Sequence, residues 1–284
     1  MSLQIRGASY AYAGTSRTVL DGIDLTVEPG RLVAVVGPNE SGKSTLCLVA
    51  AGLAPASIGG RLTGSVLLDG QETATLKPFE AAQRCGILFQ NPATQLSGTS
   101  ATVWEEIAFG PRNLGLPVAD VVERVEAAMA TLQIGALAER DPHRLSGGQA
   151  QLIALASVVA LRPSMLVLDE PTSQLDPAGT RLVGDALARL AGGGTAILLV
   201  EHKTGLVERV ADEVVLLVGG KVETTGPAAT VLADPRLADL GVEPPPSARI
   251  ARALAAAGHA DRLAGIDLAA LEAESVSAAP GSGR

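Results

Sequence analysis

Residues 32–45 read Leu-Val-Ala-Val-Val-Gly-Pro-Asn-Glu-Ser-Gly-Lys-Ser-Thr and are followed by an apolar run of helical character. The pattern predicts a buried strand, a tight loop and a helix. Gly37 and Gly42 allow the loop to wrap a phosphate with its backbone N–H groups, and the positive end of the helix faces the same anion. Lys43 would then lie on the β- and γ-phosphates, and the Ser44 hydroxyl on Mg²⁺. This stretch therefore predicts a nucleotide site in an α/β chain.

Composition narrows the class of protein. The 284 residues are 47% hydrophobic, which is enough for a sizeable core. Aromatic residues make up only 2% and the net charge is −8, so a stacking or basic surface for nucleic acid is disfavoured. No signal-peptide pattern and no membrane-length apolar run is evident, so we expect a cytosolic protein. Cys47 and Cys85 lack metal-ligand spacing and are expected to be reduced packing thiols.

Antiparallel β-structure is predicted before the loop and after the first helix. Residues 3–6 and 23–27 alternate between apolar and polar, and Asp69-Gly70 is typical of a hairpin turn. Tyr12 is the aromatic residue we expect to stack on adenine, with ordinary strand packing as the alternative. For Tyr10, strand packing is the favoured interpretation.

Three buried strands are predicted to end in polar side chains. One strand ends at Gln90, which is either a ligand-sensing group beside the phosphate site or an ordinary loop glutamine. A second delivers Asp169 and Glu170, and two carboxylates at a strand tip are costly unless they meet a cation or perform chemistry. The third ends at His202, which could donate to a γ-phosphate or serve only as a surface or capping residue. The three runs cover residues 85–89, 165–168 and 195–200.

A helical insert is predicted over residues 102–135. The Gly- and Pro-rich segment 109–117 is expected to break it, and a longer helix over 119–132 is expected to end at Gly135. Trp104 suggests a partner surface if exposed, although core packing is the more common fate.

A second helix start lies at residues 145–149, Leu-Ser-Gly-Gly-Gln. Ser146 can cap a helix that runs through Leu161 and ends at Pro163. The glycines leave backbone N–H groups free, either to bind a phosphate or as a helix cap that binds no ligand. Beyond Gly226 the composition shifts. The tail is predicted to contain a proline linker at 244–246, short helices at 249–257 and 267–274, and a disordered end.

Together these motifs resemble the ATPase subunit of ATP-binding cassette (ABC) transporters over about residues 3–226, and the sequence at 145–149 is the most specific element. The resemblance implies a P-loop NTPase (RecA-like) α/β core with an antiparallel β subdomain in residues 1–226. It also implies a helical subdomain at about 91–150 and a short C-terminal extension at 227–284. ATP and Mg²⁺ are the implied cofactors.

The resemblance also assigns roles to residues at matching positions. The implied catalytic residues are Glu170 as general base, assisted by Lys43, Gln90 and His202. Magnesium would be held by Ser44, Gln90 and Asp169. The Walker A loop would be formed by Gly37, Pro38, Asn39, Glu40, Ser41, Gly42, Lys43, Ser44 and Thr45. Further implied ATP contacts are the adenine-stacking Tyr12, then Gln90 and His202, the signature residues Ser146, Gly147, Gly148 and Gln149, and Asp176 in a loop that crosses the dimer.

A finer resemblance is to the ATPases of energy-coupling factor (ECF) importers, which take up vitamins or cobalt and nickel ions. It is carried by residues 90–96, 102–111, 113–117 and 243–246. It implies a coupling subunit and a substrate-binding subunit in the membrane, with this chain on the cytoplasmic face. Leu152 is a departure, because the family usually has arginine there.

The phosphate loop and the signature lie about a hundred residues apart, on different predicted lobes. One chain cannot easily close both on one ATP, whereas two chains arranged head to tail can. The second chain is either an identical copy or a sister ATPase. An alternative is a non-transport ABC ATPase acting on nucleic acid or ribosomes, but such proteins would require a long coiled coil or two cassettes. A P-loop kinase would leave residues 145–149 unexplained.

Overall fold

The computed structural model describes residues 2–257 and contains two β-sheets over that range. An antiparallel sheet has the strand order β2-β1-β4-β5, and a mostly parallel sheet has the order β10-β9-β3-β8-β7-β6. Within the second sheet, β10 alone of the described strands pairs antiparallel to its neighbour. In chain order the strands are β1 Leu3–Ala11, β2 Leu20–Val27, β3 Leu32–Val36, β4 Arg61–Leu68, β5 Gln71–Glu72, β6 Cys85–Leu88, β7 Met165–Asp169, β8 Ala196–Val200, β9 Glu213–Val218 and β10 Lys221–Pro227.

Helices cover the parallel sheet on both faces, as a parallel sheet requires. The helices are α1 Lys43–Ala50, α2 Pro78–Arg84, α3 Val103–Asn113, α4 Val118–Thr131, α5 Gly147–Val159, α6 Pro177–Gly192, α7 Thr204–Val210, α8 Ala228–Leu232 and α9 Pro246–Ala256. None of the helices within residues 2–257 has the length and apolarity to cross a bilayer.

The central strand β3 joins two hydrophobic cores. All five of its residues are buried, as the continuous apolar run predicts. Because successive side chains of a strand point to opposite faces, Leu32, Ala34 and Val36 pack with the helices α3 to α8. Val33 and Val35 pack instead with α1 and the antiparallel sheet. This arrangement confirms the predicted α/β core with its antiparallel β layer and helical lobe.

The predicted break at 109–117 is wrong in its first half, because α3 continues through Pro111 to Asn113. Pro111 is buried near the end of the helix, where the missing N–H removes only one hydrogen bond. Gly110 has a packing role: a Cβ there would lie 2.8 Å from Leu161 Cδ2, so glycine allows α3 to approach the end of α5 closely.

Two other helices can be compared with their predicted bounds. Helix α4 agrees with the predicted 119–132 to within one residue at each end. It stops before Gly135, because Gln133 takes a left-handed φ of 53° and the N–H of the buried Ile134 donates to the Met129 carbonyl oxygen. Pro246 begins α9, where its fixed φ suits the first helical turn. The helix predicted at 267–274 and the disordered end lie outside the described residues.

The start of the tail belongs to the main core. Helix α8 packs against β9 and β10. Leu232, Leu237 and Val242 are buried in the same cluster as Val36 and Leu216. A division near residue 226 therefore falls within a continuous hydrophobic core.

Candidate nucleotide site

The loop between β3 and α1 has a conformation that glycine alone permits at two positions. A Cβ on Gly37 would lie 2.1 Å from the Leu217 carbonyl oxygen, and one on Gly42 would lie 3.0 Å from the Val19 carbonyl oxygen. Gly42 also has a φ of 103° and caps α1. The helix N-terminus therefore opens directly onto the loop, which is the geometry that binds phosphate.

Lys43 holds the loop together from inside. Its buried ammonium Nζ donates to the carbonyl oxygens of Gly37, at 2.9 Å, and Pro38, at 2.7 Å. Burial lowers the pKa of Lys43, while the nearby Glu170 and Asp169 carboxylates raise it. These two hydrogen bonds fix the end of the Lys43 side chain within the loop, where an anionic ligand can meet it.

A cleft of about 490 Å³ lies in front of this loop. It brings together the loop residues from Asn39 to Thr45 with Gln90, Glu170 and His202, as predicted from the strand ends. Arg17 and Val19 also line it, and no sequence motif singled them out. Because the positively charged Arg17 lines the cleft, the cleft is suitable for a phosphate-bearing ligand.

Tyr12 contacts Thr45, one of the residues that line the cleft. Its hydroxyl and the Thr45 hydroxyl are 3.0 Å apart, within hydrogen-bond distance. Its ring packs edge-on against Tyr10, with 5.1 Å between ring centroids. Tyr10 is almost fully buried, whereas Tyr12 is half-buried. The geometry therefore fits core packing for Tyr10, whereas Tyr12 is half-buried against the same core and is not among the residues that line the cleft.

Asp169 ends β7 as a buried carboxylate whose Oδ1 has no hydrogen-bond partner among the described residues. Burial raises the pKa of Asp169, and a hydrogen bond with the Ser44 hydroxyl opposes that shift. A buried carboxylate oxygen without a partner is costly. One carboxylate and one hydroxyl beside a phosphate loop fit Mg²⁺, which takes its other ligands from phosphate and water.

Glu170 lies where the ends of three parallel strands meet. Its carboxylate accepts a hydrogen bond from Gln90 Nε2 at 2.8 Å and lies 3.1 Å from His202 Nε2. The side chain is 15% exposed. Its backbone has a left-handed φ of 50°, and its N–H donates to the Val200 carbonyl oxygen at 2.9 Å. Such strain at a non-glycine residue is held by the surrounding structure and aims the carboxylate into the cleft.

A buried network that sequence reasoning missed fixes His202. The Glu201 carboxylate accepts hydrogen bonds from the backbone N–H groups of His202 and Lys203 and from the Thr172 hydroxyl. Lys203 Nζ in turn donates to the Thr172 and Leu175 carbonyl oxygens. The sequence does carry a sign of this network, because Glu201 is an acidic residue at the end of a fully apolar strand and a buried charge requires such partners.

The residues at 145–149 form a separate site. Ser146 caps α5 by accepting from the Gln149 N–H, and the Gln149 side chain accepts from the Ser146 N–H at 3.1 Å. Gly147 contacts Gln174 so closely that a Cβ would lie 2.3 Å from its Oε1. Asp176 caps α6. These residues therefore cluster with one another, and none of them lines the phosphate-loop cleft.

Comparison with known proteins gives consistent matches. Residues 20–173 match the ABC transporter family. The chain is similar to the nickel import ATP-binding protein NikO of Rhodobacter capsulatus, with 42% identity over 82% of this chain and 91% of the relative. It is also similar to the energy-coupling factor transporter ATP-binding protein EcfA1 of Symbiobacterium thermophilum, with 39% identity over 89% of this chain and 88% of the relative.

Other relatives are longer: the chain spans 43% of the length of a putative ABC transporter ATP-binding protein of Methanosarcina mazei. Among solved structures, the chain resembles cbiO1 of Clostridium perfringens, part of the ABC transporter complex cbiONQ. The TM-score is 0.75 and the identity 28%, over 90% of this chain and 97% of that one.

Proposed function

The chain belongs to the ATP-binding family of ABC transporters, whose members hydrolyse ATP, and we propose that it powers a membrane importer of the energy-coupling factor type. The observation that carries the proposal is the convergence of Gln90, Glu170 and His202 on a cleft bounded by the phosphate loop. Vitamins or cobalt and nickel ions are the proposed cargo, and the likeness to the nickel import protein NikO supports nickel among them.

In the proposed reaction, the γ-phosphoryl group of ATP is transferred in line to water. Glu170 orients and polarises the water, and its contacts with Gln90 and His202 fix the carboxylate. Lys43 and His202 stabilise charge on the phosphoryl oxygens. Mg²⁺, held by Ser44, Gln90 and Asp169, would neutralise further phosphate charge. Tyr12 is proposed to stack on the adenine.

The proposed site is completed by a second subunit. Ser146, Gly147, Gly148 and Gln149 pack with the loop that ends at Asp176, outside the cleft of their own chain. We infer that they close on ATP held by a second, head-to-tail subunit, either a copy of this chain or a sister ATPase. ATP then joins two subunits and hydrolysis releases them, which gives the two states that a transporter requires.

The partners in the membrane are proposed to be a coupling subunit and a substrate-binding subunit, with this chain at the cytoplasmic face. The helical lobe of α3 and α4 is the proposed docking surface, and its exposed apolar side chains Phe109 and Val118 support this. Trp104 is half-buried and packs against the core, so it contributes less to that surface.

The test is the solution mass of the Glu170→Gln protein, measured by light scattering with and without Mg-ATP. A shift from monomer to dimer is expected, because ATP binds and is not consumed. Lys43→Ala is the matched control and should remain a monomer, since it loses ATP binding. A persistent Glu170→Gln monomer that binds ATP would show that this chain does not form both composite sites with itself. The sister ATPase and the membrane subunits would then be sought by co-purification from membranes.

A further inference from the structure

A turn in the C-terminal tail packs directly against the phosphate loop. This tail turn comprises Gly241, Val242 and Glu243. Gly241 has a φ of 77°, and a Cβ on it would lie 3.0 Å from Pro38 Cβ and 3.8 Å from Pro38 Cα. The tail turn also lines a cavity of about 250 Å³ together with Gly37, Asn39, Glu201 and His202. The tail therefore meets the nucleotide site at both the loop and the histidine.

The tail turn is held in place by backbone hydrogen bonds and by burial. Val242 is buried in the main core, and its N–H donates to the carbonyl oxygen of the fully buried Leu237 at 2.9 Å. The Gly241 N–H donates to the Ala238 carbonyl oxygen at 3.1 Å. These two hydrogen bonds and the burial of Val242 therefore hold the backbone of Gly241 where it faces Pro38.

The segment after the tail turn is anchored near His202. The Ser247 hydroxyl, in α9, lies 2.7 Å from both carboxylate oxygens of Glu208 in α7. Helix α7 begins at Thr204, two residues after His202. Arg252 of α9 donates to the Asp234 carbonyl oxygen at 2.9 Å, which ties α9 back to the residues before the tail turn.

Pro38 connects this surface to the cation of the loop. Its carbonyl oxygen accepts from Lys43 Nζ at 2.7 Å and from the Ser41 N–H at 3.3 Å. We propose that the tail turn positions the phosphate loop for ATP, with Gly241 acting through Pro38 on Lys43. The inference rests on the proposed function, because it assigns the tail a role in the same ATP site.

The experiment compares Gly241→Ala with Gly70→Ala. Gly70 has nearly the same φ, 74°, but a Cβ on it would meet nothing within 4 Å. Both variants therefore carry a similar backbone strain, of about 1–2 kcal/mol, and should lose similar thermal stability. Only Gly241→Ala pushes on Pro38. We expect its Kd and KM for Mg-ATP to rise about tenfold, with a smaller change in kcat, because misplaced binding groups weaken ATP capture.

A double-mutant cycle with Pro38→Gly supplies the second readout. Removing the proline ring relieves the contact with Ala at position 241, so Gly241→Ala should cost less ATP affinity in the Pro38→Gly background than in the wild type. Equal ATP affinity of the Gly241→Ala and Gly70→Ala proteins, or strict additivity in the cycle, would overturn the inference.

Failure of the inference is distinguishable from failure of the proposed function. If neither the wild type nor Gly70→Ala binds ATP, the proposed function fails; if both bind it as tightly as Gly241→Ala does, only the inference fails.

Should Gly241→Ala not fold, Val242→Ala loosens the tail turn without a new contact. Val231→Ala, a buried valine of the same core, is its control. Equal ATP affinity of those two variants would also overturn the inference.

Discussion

Replacing Glu170 with glutamine isolates the chemical role of one carboxylate. The substitution keeps the size and the hydrogen-bonding shape of the side chain, and it leaves the left-handed φ of 50° as it is. Gln90, at 2.8 Å, and His202, at 3.1 Å, remain within reach. What is removed is the negative charge that is proposed to polarise the attacking water.

The substitution is expected to cost more activation free energy of hydrolysis than free energy of unfolding. A general base typically contributes about 10²–10⁴-fold, or roughly 2.7–5.4 kcal/mol of activation free energy. Glutamine weakens at most the charge-assisted part of two hydrogen bonds, about 1.5–3 kcal/mol before the partners reorient. Folding of the variant is therefore preserved while hydrolysis is nearly abolished.

The assay is phosphate release under saturating Mg-ATP, with ATP affinity measured in parallel. Glu28→Gln is the control, because Glu28 is an exposed acidic residue of the turn before β3. We expect Glu28→Gln to match the wild type, and Glu170→Gln to bind ATP but release phosphate at less than a hundredth of the wild-type rate. A Glu170→Gln protein that retains more than a tenth of that rate would refute the assignment of the base.

Three further predictions concern single residues. Asp169→Asn should raise the melting temperature of the nucleotide-free protein, because it removes a buried charge with an unpartnered oxygen. It should also weaken Mg-ATP binding in a calorimetric titration. A fall in melting temperature would contradict the first expectation. Tyr12→Ala should cost about 1–3 kcal/mol of ATP affinity through lost stacking. Tyr12→Phe should cost less, because it loses only the contact with Thr45. Equal losses in the two variants would argue against stacking. Burial raises the pKa of Cys85 to about 12 and that of Cys47 well above its usual value, so a thiol reagent at pH 8 should label neither in the native protein and both after unfolding; fast native labelling would contradict the packing.

The parts of the site that sequence predicts are those with a continuous local pattern. The loop after β3, the ends of β6, β7 and β8, and the cap at Ser146 each follow from a few neighbouring residues. Parallel strands then carry Gln90, Glu170 and His202 to one edge of the sheet. The convergence therefore follows from topology once the strands are recognised.

The parts that sequence did not predict depend on contacts between distant segments. Arg17, in the connection between β1 and β2, lines the cleft together with residues of the loop before α1, and no local motif marks it. The packing of Gly241 on Pro38 joins residues about two hundred positions apart. Pro111 indicates a helix end by local propensity, but the burial of α3 against α5 overrides that preference.

The central claim is that ATP is shared between the phosphate loop of one subunit and the signature of another. The most direct measurement mixes two inactive variants, Lys43→Ala and Ser146→Arg, and records ATP hydrolysis against the wild-type chain at the same total concentration. Ser146 is exposed, so the arginine should block the partner's ATP with a loss of only about 1 kcal/mol from the helix cap. A mixed head-to-tail dimer contains one intact composite site, so the mixture is predicted to hydrolyse ATP although neither variant does alone. The claim would be contradicted if the wild-type chain hydrolyses ATP by itself and the mixture is no more active than the two variants measured separately.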